Sequence, residues 1–420
     1  MPIATGLPAR NVTLRFPPSS SSRNPDTAEN GEEDIEETYQ LLELPAEILK
    51  QVEGLKGKNE VFPLTIKGRP SDDATLCTPQ TTFMLRTVGI SNSLLVCRTP
   101  SSSSLKTPTT SSSSLASSSS STLEVRDTCH QILECVPIAP NLERIRTVLK
   151  DSAWQGLGSG AGALGKRKRA NGKKEKRWTR AMLGSVIQAS EGELERGLKE
   201  RCVVEVDGRM LLLPPAPLKD LLTILLSLLT IHYTTSLTTS PIAPIVESLE
   251  EDHDIPLSLS QAVLNLFGTI EGETWEADAK GLVREVGRGL LVSLRGEKKR
   301  DDFLEEWKAE VGETWAEHVD LTLLEGDYLL SPPPLSALSS FKSPSPILSY
   351  FPVATLPLQP ATRFADLFLT RPRWRPEEMA PFLKGLTRDG DTKERDKLVA
   401  KFVRVVKEKE GAWWYPRRTA

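Results

Sequence analysis

The sequence has few of the residues that build metal sites, disulfide frameworks and redox centres. Its 420 residues include five cysteines and four histidines, and no two cysteines form a Cys-x-x-Cys pair. An odd number of cysteines without metal-ligand spacing argues against both a disulfide framework and a zinc site. We therefore expect no metal, no cofactor and an intracellular protein with reduced cysteines.

Long hydrophobic runs are also lacking. The longest apolar stretch, residues 218–233, is shorter than the ~20 residues of a membrane span and contains Lys219 and Asp220. The first residues carry no apolar segment of the signal-peptide type. The sequence therefore predicts a buried helix at 218–233 and no membrane partner.

Two phosphate-binding motifs are matched only in outline. Gly160 to Lys166 fits G-x-x-x-x-G-K, but Arg167 stands where a P-loop needs Ser or Thr, and no strand precedes it. Gly160, Gly162 and Gly165 fit G-x-G-x-x-G without the βαβ unit that a dinucleotide site requires. These departures favour a flexible Gly-rich linker. Since no nucleophile–base set or paired acids are evident either, we do not expect an enzyme.

The composition indicates several domains separated by unfolded stretches. Hydrophobic residues make up 38% of the chain, below the roughly 45–50% of typical globular domains. The predicted fold class is α+β, with an N-terminal antiparallel β-sheet or barrel-like domain followed by tandem winged helices. The predicted order is a disordered tail (1–36), a β-rich assembly domain (37–140) with a Ser-rich insertion (99–122), a first winged helix (141–217) with a Gly/basic insertion (155–177), a second winged-helix-like helical domain (218–330), a Pro/Ser-rich connector (331–360) and a third winged helix (361–420).

The first winged helix rests on residues 177–214. Ser190 and Glu193 form a capping box that predicts a helix start. The valines of 203–206 then predict a strand, and Asp207-Gly208 a tight hairpin turn before the returning strand 210–213. A helix, a turn, a second helix and a hairpin is the order of a winged helix-turn-helix.

The β-rich domain is predicted from short runs of β-branched residues. These runs, at 61–66, 74–77, 81–88 and 93–97, are separated by turn signals at about 8–12-residue spacing. The edges of such a sheet need partners, and a strand from another protein would satisfy them.

Two further regions resemble the first winged helix less closely. In the second, residues 275–286 are predicted as a helix that ends at Gly287 and Gly289, and Ser258 or Ser260 is predicted to cap an earlier helix. This region is acidic, which favours protein contact or spacing over DNA reading. In the third, a helix capped by Thr392 and ended by Gly411 is predicted to expose a basic face, and 413–415 to form a last strand or wing.

Basic residues on the first and third winged helices are candidates for phosphate contact. Trp374, Trp413 and Trp414 are candidates either for base stacking or for the core. The basic run is also a candidate nuclear localisation signal. The candidate DNA-binding residues are Arg196, Lys199, Arg209, Arg371, Arg373, Arg375, Lys397, Lys401, Arg404, Lys407, Arg417 and Arg418. The candidate localisation residues are Lys166, Arg167, Lys168, Arg169, Lys173, Lys174, Lys176 and Arg177.

Several stretches resemble the Dcc family of sister chromatid cohesion proteins. Near the N-terminus these are 39–44 (YQLLEL), 64–69 (LTIKGR), 73–77 (DATLC), 82–86 (TFMLR) and 91–95 (SNSLL). Near the other end they are Arg363-Phe364, Leu367-Phe368, Arg371, Trp374, Glu378-Met379 and Pro381-Phe382-Leu383. The likeness is weakest over 218–360.

The resemblance implies a non-catalytic subunit of an alternative, RFC-like clamp loader. In that family the β domain pairs with a small third subunit and with the large AAA+ subunit. The tandem winged helices contact DNA, single- or double-stranded and without sequence specificity, and DNA polymerase epsilon. The complex acts on PCNA during DNA replication and supports cohesion, which implies a nuclear, chromatin-associated protein.

Two other classes of function stay open from the residues alone. A winged-helix transcriptional regulator would use the helix near 191–200 to read DNA, although its glutamates argue against a deep major-groove fit. A purely protein-binding scaffold would use the same folds without DNA.

Overall fold

The computed structural model describes residues 12–15, 39–55, 61–99, 121–158, 177–333, 345–409 and 411–417. Helices and open sheets are both abundant in these residues, so the α+β class is confirmed. The chain forms two compact units that interleave in sequence. The first lies within 1–62 and 83–136, and the second within 63–82 and 137–420.

The N-terminal elements are mostly strands. Their bounds are β1 (Val12–Arg15), β2 (Leu41–Glu43), helix α1 (Ala46–Gly54), β3 (Thr65–Lys67), β4 (Thr75–Cys77), β5 (Thr82–Arg98) and β6 (Ser121–Pro137). The runs predicted as two strands, 81–88 and 93–97, belong to one strand, β5. It continues through residues 89–92 and pairs with β6, which has the same length. The run predicted at 61–66 forms a strand only from Thr65.

The sheet of the first unit is mixed. Both β1 and β2 pair with β6 in parallel, in the registers Val12↔Ser121 and Leu41↔Ile132. The prediction of a purely antiparallel sheet was therefore wrong. The alternating pattern that signals a strand does not encode its direction relative to a strand far along the chain.

The strands β3 and β4 belong by their contacts to the second unit. They pair with each other in antiparallel register, and Lys67 Nζ donates to the carbonyl of Ala189 at 2.7 Å. Thr82 Oγ1 donates to Glu193 Oε2 at 2.5 Å. Residues 63–82 thus pack on the helices of the second unit, although the sequence placed them in the β-rich domain.

Three segments of the second unit repeat one element order. The first repeat spans residues 144–212. Its elements are α2 (Arg144–Leu149), α3 (Arg180–Val186), α4 (Glu191–Glu200), β7 (Val203–Val206) and β8 (Arg209–Leu212). Ala153 bridges to Leu212 on the last strand of the hairpin.

Local signals of the first repeat were predicted correctly. The Ser190–Glu193 capping box is formed, with both reciprocal hydrogen bonds present. Asp207 and Gly208 both have positive φ, as the predicted hairpin turn requires.

The second repeat (215–277) has the same order. Its elements are α5 (Pro215–His232), β9 (Thr239–Pro241), α6 (Ile242–Glu251), α7 (Leu257–Leu266), β10 (Gly268–Glu271) and β11 (Thr274–Ala277). Here the short strand β9 pairs with β11, the last strand of the hairpin. The α7 helix follows Pro256 without a side-chain cap, so the predicted Ser258 or Ser260 cap was wrong.

A helical connection follows the second repeat. It contains α8 (Ala279–Ser293), β12 (Glu297–Lys299), α9 (Arg300–Val311), β13 (Tyr328–Ser331) and β14 (Ile347–Tyr350). The β14 strand lies between β12 and β13, so the range predicted as a connector contributes the central strand of a sheet. Trp275 lies in β11 and not in the predicted helix 275–286.

Gly287 and Gly289 do not end a helix, contrary to prediction, because α8 continues through both. A Cβ on Gly287 would lie 2.5 Å from the Trp307 ring, and one on Gly289 would lie 2.4 Å from the Lys219 Cβ. These glycines therefore allow neighbouring elements to approach α8 closely.

The third repeat (360–416) closes the described chain. Its elements are α10 (Pro360–Thr370), α11 (Pro376–Met379), α12 (Thr392–Phe402), β15 (Val403–Glu408) and β16 (Gly411–Pro416). Trp374 bridges to Trp414 on the last strand, as in the other repeats. Asp391 caps α12 instead of the predicted Thr392, and Gly411 begins β16 instead of ending the helix.

Three apolar clusters hold the second unit together. One fills the first repeat around Leu183 and Leu194, and one fills the third around Phe364 and Trp374. The largest spans the second repeat, α8 and α9. No helix in the described ranges is both long and apolar enough to cross a membrane.

Candidate nucleic-acid interface

The helix that precedes the hairpin differs in charge and exposure among the three repeats. We call α4, α7 and α12 the hairpin-proximal helices. In helix-turn-helix proteins the helix at this position enters the DNA groove. The surroundings of each helix therefore indicate which repeat has a surface open to nucleic acid.

The α4 helix is acidic and contacts residues outside the first repeat. Gly192 N donates to the carbonyl of Pro79 at 3.0 Å at its start. Near its end, Lys384 Nζ lies 3.1 Å from Glu200, and Arg196 lies 3.8 Å from Asp389. The candidate Arg196 therefore lies near an acidic residue of the third repeat, although its side chain is 58% exposed. Lys199 is also exposed, on a helix that carries four glutamates.

The α7 helix carries no charge. Its inner face is buried at Leu259, Val263 and Leu264. It packs against β7 of the first repeat, whose Val204 and Val206 share its apolar cluster. This helix is thus a structural support between two repeats.

The α12 helix carries a row of lysines. Lys393, Lys397 and Lys401 recur every four residues, so they lie along one face. All three are exposed, and none forms an ion pair with another described residue. Lys393 was not among the predicted DNA-binding residues, although its spacing to Lys397 and Lys401 indicated that it shares their face.

The start of α12 is fixed by its cap. Asp391 Oδ1 accepts from Glu394 N at 2.9 Å, and Arg388 lies 3.4 Å from the same carboxylate. The hydrogen bond from Glu394 N, followed by the charge of Arg388, lowers the pKa of Asp391 below its ordinary value. The carboxylate therefore stays ionised near neutral pH and holds the first turn that presents Lys393.

Arg404 and Lys407 lie on the hairpin and not on the predicted helix, because α12 ends at Phe402. Residues three apart on a strand point to opposite faces. The two side chains therefore do not extend the lysine row, and the predicted continuous basic helix face was wrong beyond Lys401. The β-branched Val403, Val405 and Val406 favour the strand.

One face of the hairpin combines guanidinium groups with aromatic rings. The guanidinium carbons of Arg373 and Arg375 lie 4.3 and 4.8 Å from the centre of the Trp413 ring. Arg404 lies 5.8 Å from the Tyr415 ring. Stacking of this kind holds arginine side chains in place, and Arg373 also lies 3.5 Å from Glu408.

Base stacking by Trp374 is excluded by its burial. Its exposed fraction is 0%, and its Nε1 donates to the carbonyl of Leu367 at 2.9 Å. Trp414 packs against the same core. Trp413 is already in contact with the guanidinium groups of Arg373 and Arg375, so its ring is not an open platform for base stacking.

Two other candidates have structural contacts. Arg371 donates to the carbonyl of Leu330 and lies 3.5 Å from Glu378. Its burial lowers its pKa. Arg417 Nη1 donates to the carbonyl of Ala400 at 2.7 Å and so ties the end of the hairpin to α12.

Three groups of candidates remain. Arg209 begins β8 in the first repeat and has its own interactions. Arg418 and the localisation candidates 166–176 lie outside the described residues. Arg177 is exposed just before α3.

A polar cleft of about 750 Å³ lies within the second unit, between α4 and the loop 384–391. Most of its cations already have carboxylate partners. Arg201 lies 2.6 Å from Glu143, and Arg288 lies 2.8 Å from Asp327. Among the described residues, no group of three or more His, Cys, Asp or Glu side chains is placed to hold a metal ion.

A comparison with protein families identifies the chain's relatives. The sequence profile of the sister chromatid cohesion protein Dcc1 family matches residues 39–383, which is most of the chain. The chain belongs to this family. No curated protein matched the chain.

Membership of the Dcc1 family assigns the chain a role in sister chromatid cohesion. Cohesion acts on chromosomes, which implies a nuclear location. The match ends at Leu383, before α12 begins. The lysine row therefore lies outside the matched range, and its function must be argued from this chain's own residues.

Proposed function

We propose that this Dcc1-family chain is a non-catalytic subunit of an RFC-like clamp loader that acts on PCNA during DNA replication. Its partners are a large AAA+ subunit, a small third subunit and DNA polymerase epsilon. It supports cohesion by linking the loader to DNA on chromatin. Family membership supports the cohesion role, and the repeated helix–helix–hairpin order supports an adaptor without a reaction of its own.

The three repeats are proposed to be winged helices. In each, a short segment pairs with the last strand of the hairpin, at Ala153↔Leu212, β9–β11 and Trp374↔Trp414. The β-rich domain of the first unit is proposed to be the assembly domain. Strands from the partner subunits would complete its sheet, because an open sheet leaves edge groups unpaired.

The observation that carries the DNA role is the lysine row of α12. Of the three hairpin-proximal helices, α4 is acidic, with Arg196 and Lys199 among four glutamates, and α7 is uncharged and packed. Only α12 among them presents a row of three exposed lysines along one face. Contacts of this kind go to phosphates and are independent of sequence. A regulator that reads DNA with α4 loses support, because that helix carries four glutamates and pairs with Lys384 and Asp389.

The assembly role is tested by purifying the tagged chain from nuclear extract and identifying its partners by mass spectrometry. We expect stoichiometric recovery of a large AAA+ subunit and a small companion. Both should be lost when residues 83–136 of the first unit are deleted, which leaves residues 63–82 of the second unit in place. Recovery of the chain alone, or of transcription proteins only, would contradict the clamp-loader proposal.

The DNA role is tested by charge reversal along α12. Lys393→Glu, Lys397→Glu and Lys401→Glu together should weaken binding to duplex and single-stranded oligonucleotides at least ~10-fold. They should also reduce the slope of log affinity against log salt by about 2–3, since each lost phosphate contact removes ~0.7–0.9. Fluorescence anisotropy at several salt concentrations measures both quantities.

The matched control reverses three exposed lysines elsewhere, Lys150→Glu, Lys280→Glu and Lys299→Glu. It changes the net charge equally but should alter the salt slope by less than about 1. Equal effects of the two triple variants would show that DNA binding depends on the net charge of the chain and not on the lysines of α12. An unchanged affinity in the α12 variant would leave the chain as a protein-binding scaffold.

A further inference from the structure

The second repeat has an unusual charge pattern. From Asp220 to Ala279 the chain has ten acidic residues and no lysine or arginine. Asp220 lies 2.9 Å from Lys219, and Asp278 caps α8. The other eight carboxylates form no ion pair with any residue in the described ranges. They are Glu247, Glu250, Glu251, Asp252, Asp254, Glu271, Glu273 and Glu276.

An unpaired strand edge lies beside these carboxylates. In this three-stranded sheet, β10 pairs with β11 on one side and ends the strand order on the other. In the part of the chain that the structure describes, no strand covers that outer edge. Natural edge strands are commonly protected by lysine or proline, but β10 (GTIE) contains neither.

The two faces of this edge differ in chemistry. Ile270 is opposite Trp275 in the register, and Thr269 is opposite Glu276. Since opposite residues share a face, Ile270 extends the apolar face of the buried Trp275 to the edge, where it is 36% exposed. Glu271 and Glu276 share the other face. The edge thus has an apolar side and an acidic side.

The apolar and acidic sides of this edge indicate which kind of molecule can bind there. A second copy would bring its own carboxylates against these, and nucleic acid would bring phosphates. Repulsion between these like charges disfavours both a second copy and nucleic acid at this edge. A strand whose alternate residues are apolar and basic would place its apolar residues beside Ile270 and its cations on the face that Glu271 and Glu276 share.

We propose that the outer edge of β10 binds an extended segment of a partner protein in which basic and apolar residues alternate. The segment pairs with β10 through its backbone, and its cations contact the carboxylates of the hairpin. This site is separate from α12, so it gives the chain a protein contact that does not depend on the DNA role.

The test uses the full chain and a short fluorescent peptide of alternating lysine and valine. We expect binding by anisotropy and slowed amide exchange within 268–271. Glu271→Lys with Glu276→Lys should weaken binding at least ~10-fold. Glu250→Lys with Glu251→Lys, on α6, makes the same charge change away from the edge and should weaken it by only about 2-fold.

Two further probes separate strand pairing from general attraction. A peptide of the same composition, with its lysines and valines in separate blocks, should bind at least ~10-fold more weakly. Equal binding of the two peptides, or equal effects of the two double variants, would overturn the proposal. Tighter peptide binding by a chain that lacks residues 159–176 would also overturn the proposal, since the chain's own basic run would then occupy the β10 edge.

Discussion

Glu193 is a buried carboxylate held by three hydrogen bonds. It is 8% exposed, and its Oε2 accepts from Thr82 Oγ1 at 2.5 Å, Ser190 Oγ at 2.7 Å and Ser190 N at 3.2 Å. The same side chain thus caps α4 and joins residues 63–82 to the first repeat. Its loss affects two connections at once.

Glu193→Ala should destabilise the second unit by about 2–4 kcal/mol, since it removes a cap and leaves two hydroxyls without an acceptor. The shift of the urea midpoint for this unit measures the effect. Glu195→Ala, on the same helix but exposed, should cost less than about 0.5 kcal/mol. Similar costs for the two variants would contradict the role assigned to Glu193.

The capping box shows how far sequence reasoning reaches at the residue scale. Ser190 and Glu193 are three residues apart, so their pairing follows from local spacing alone. Thr82 is 111 residues from Glu193, and no local pattern indicates that contact. For the same reason Arg196 was a DNA candidate, while its neighbour Asp389 in the third repeat was invisible from the sequence.

Two element boundaries were predicted wrongly because their residues suit more than one kind of structure. The spacing of Leu398, Phe402 and Val406 suits a helix, yet β-branched neighbours turn the chain into a strand at Val403. Gly287 and Gly289 suit a helix end, yet α8 needs them for close packing. Local β propensity decided the first case and tertiary packing the second, whereas turns with a required positive φ, such as Asp207-Gly208, were predictable.

Two helical glycines should respond oppositely to alanine. Gly287→Ala places a Cβ 2.5 Å from the Trp307 ring and should destabilise the second unit by about 1–3 kcal/mol. Gly184→Ala on α3 places its Cβ 3.8 Å from Leu194 and should stabilise it by about 0.5–1 kcal/mol. Thermal unfolding of both variants measures the difference, and equal signs would contradict the packing described for α8.

At the scale of the whole second unit, Arg288 connects three parts of the chain. It donates to Asp327 at 2.8 Å and to Glu285 at 3.2 Å, and it lies 3.5 Å from the carbonyl of Glu200 in the first repeat. Burial opposes its charge, but Glu285 and Asp327 outweigh that cost and raise the pKa of Arg288. The guanidinium is therefore charged throughout the physiological pH range.

Arg288→Met should cost about 3–5 kcal/mol, because it removes a main partner of Glu285, which is 1% exposed. Arg284→Met removes a partner that is 43% exposed and should cost less than about 1 kcal/mol. The rate at which a protease cleaves the chain between the first repeat and α8 gives an independent measurement of how firmly these segments are joined. Equal protease resistance of the two variants would show that Arg288 does not join these segments.

The interleaving of the two units has a consequence for protein synthesis. Thr82 leaves the ribosome 111 residues before Glu193, and translation adds about 5–20 residues per second, so the gap is roughly 6–22 s. Until then Lys67 and Thr82 lack their hydrogen-bond acceptors in the first repeat, Ala189 and Glu193. Residues 63–82 therefore spend this interval without the segment that they bind in the folded chain.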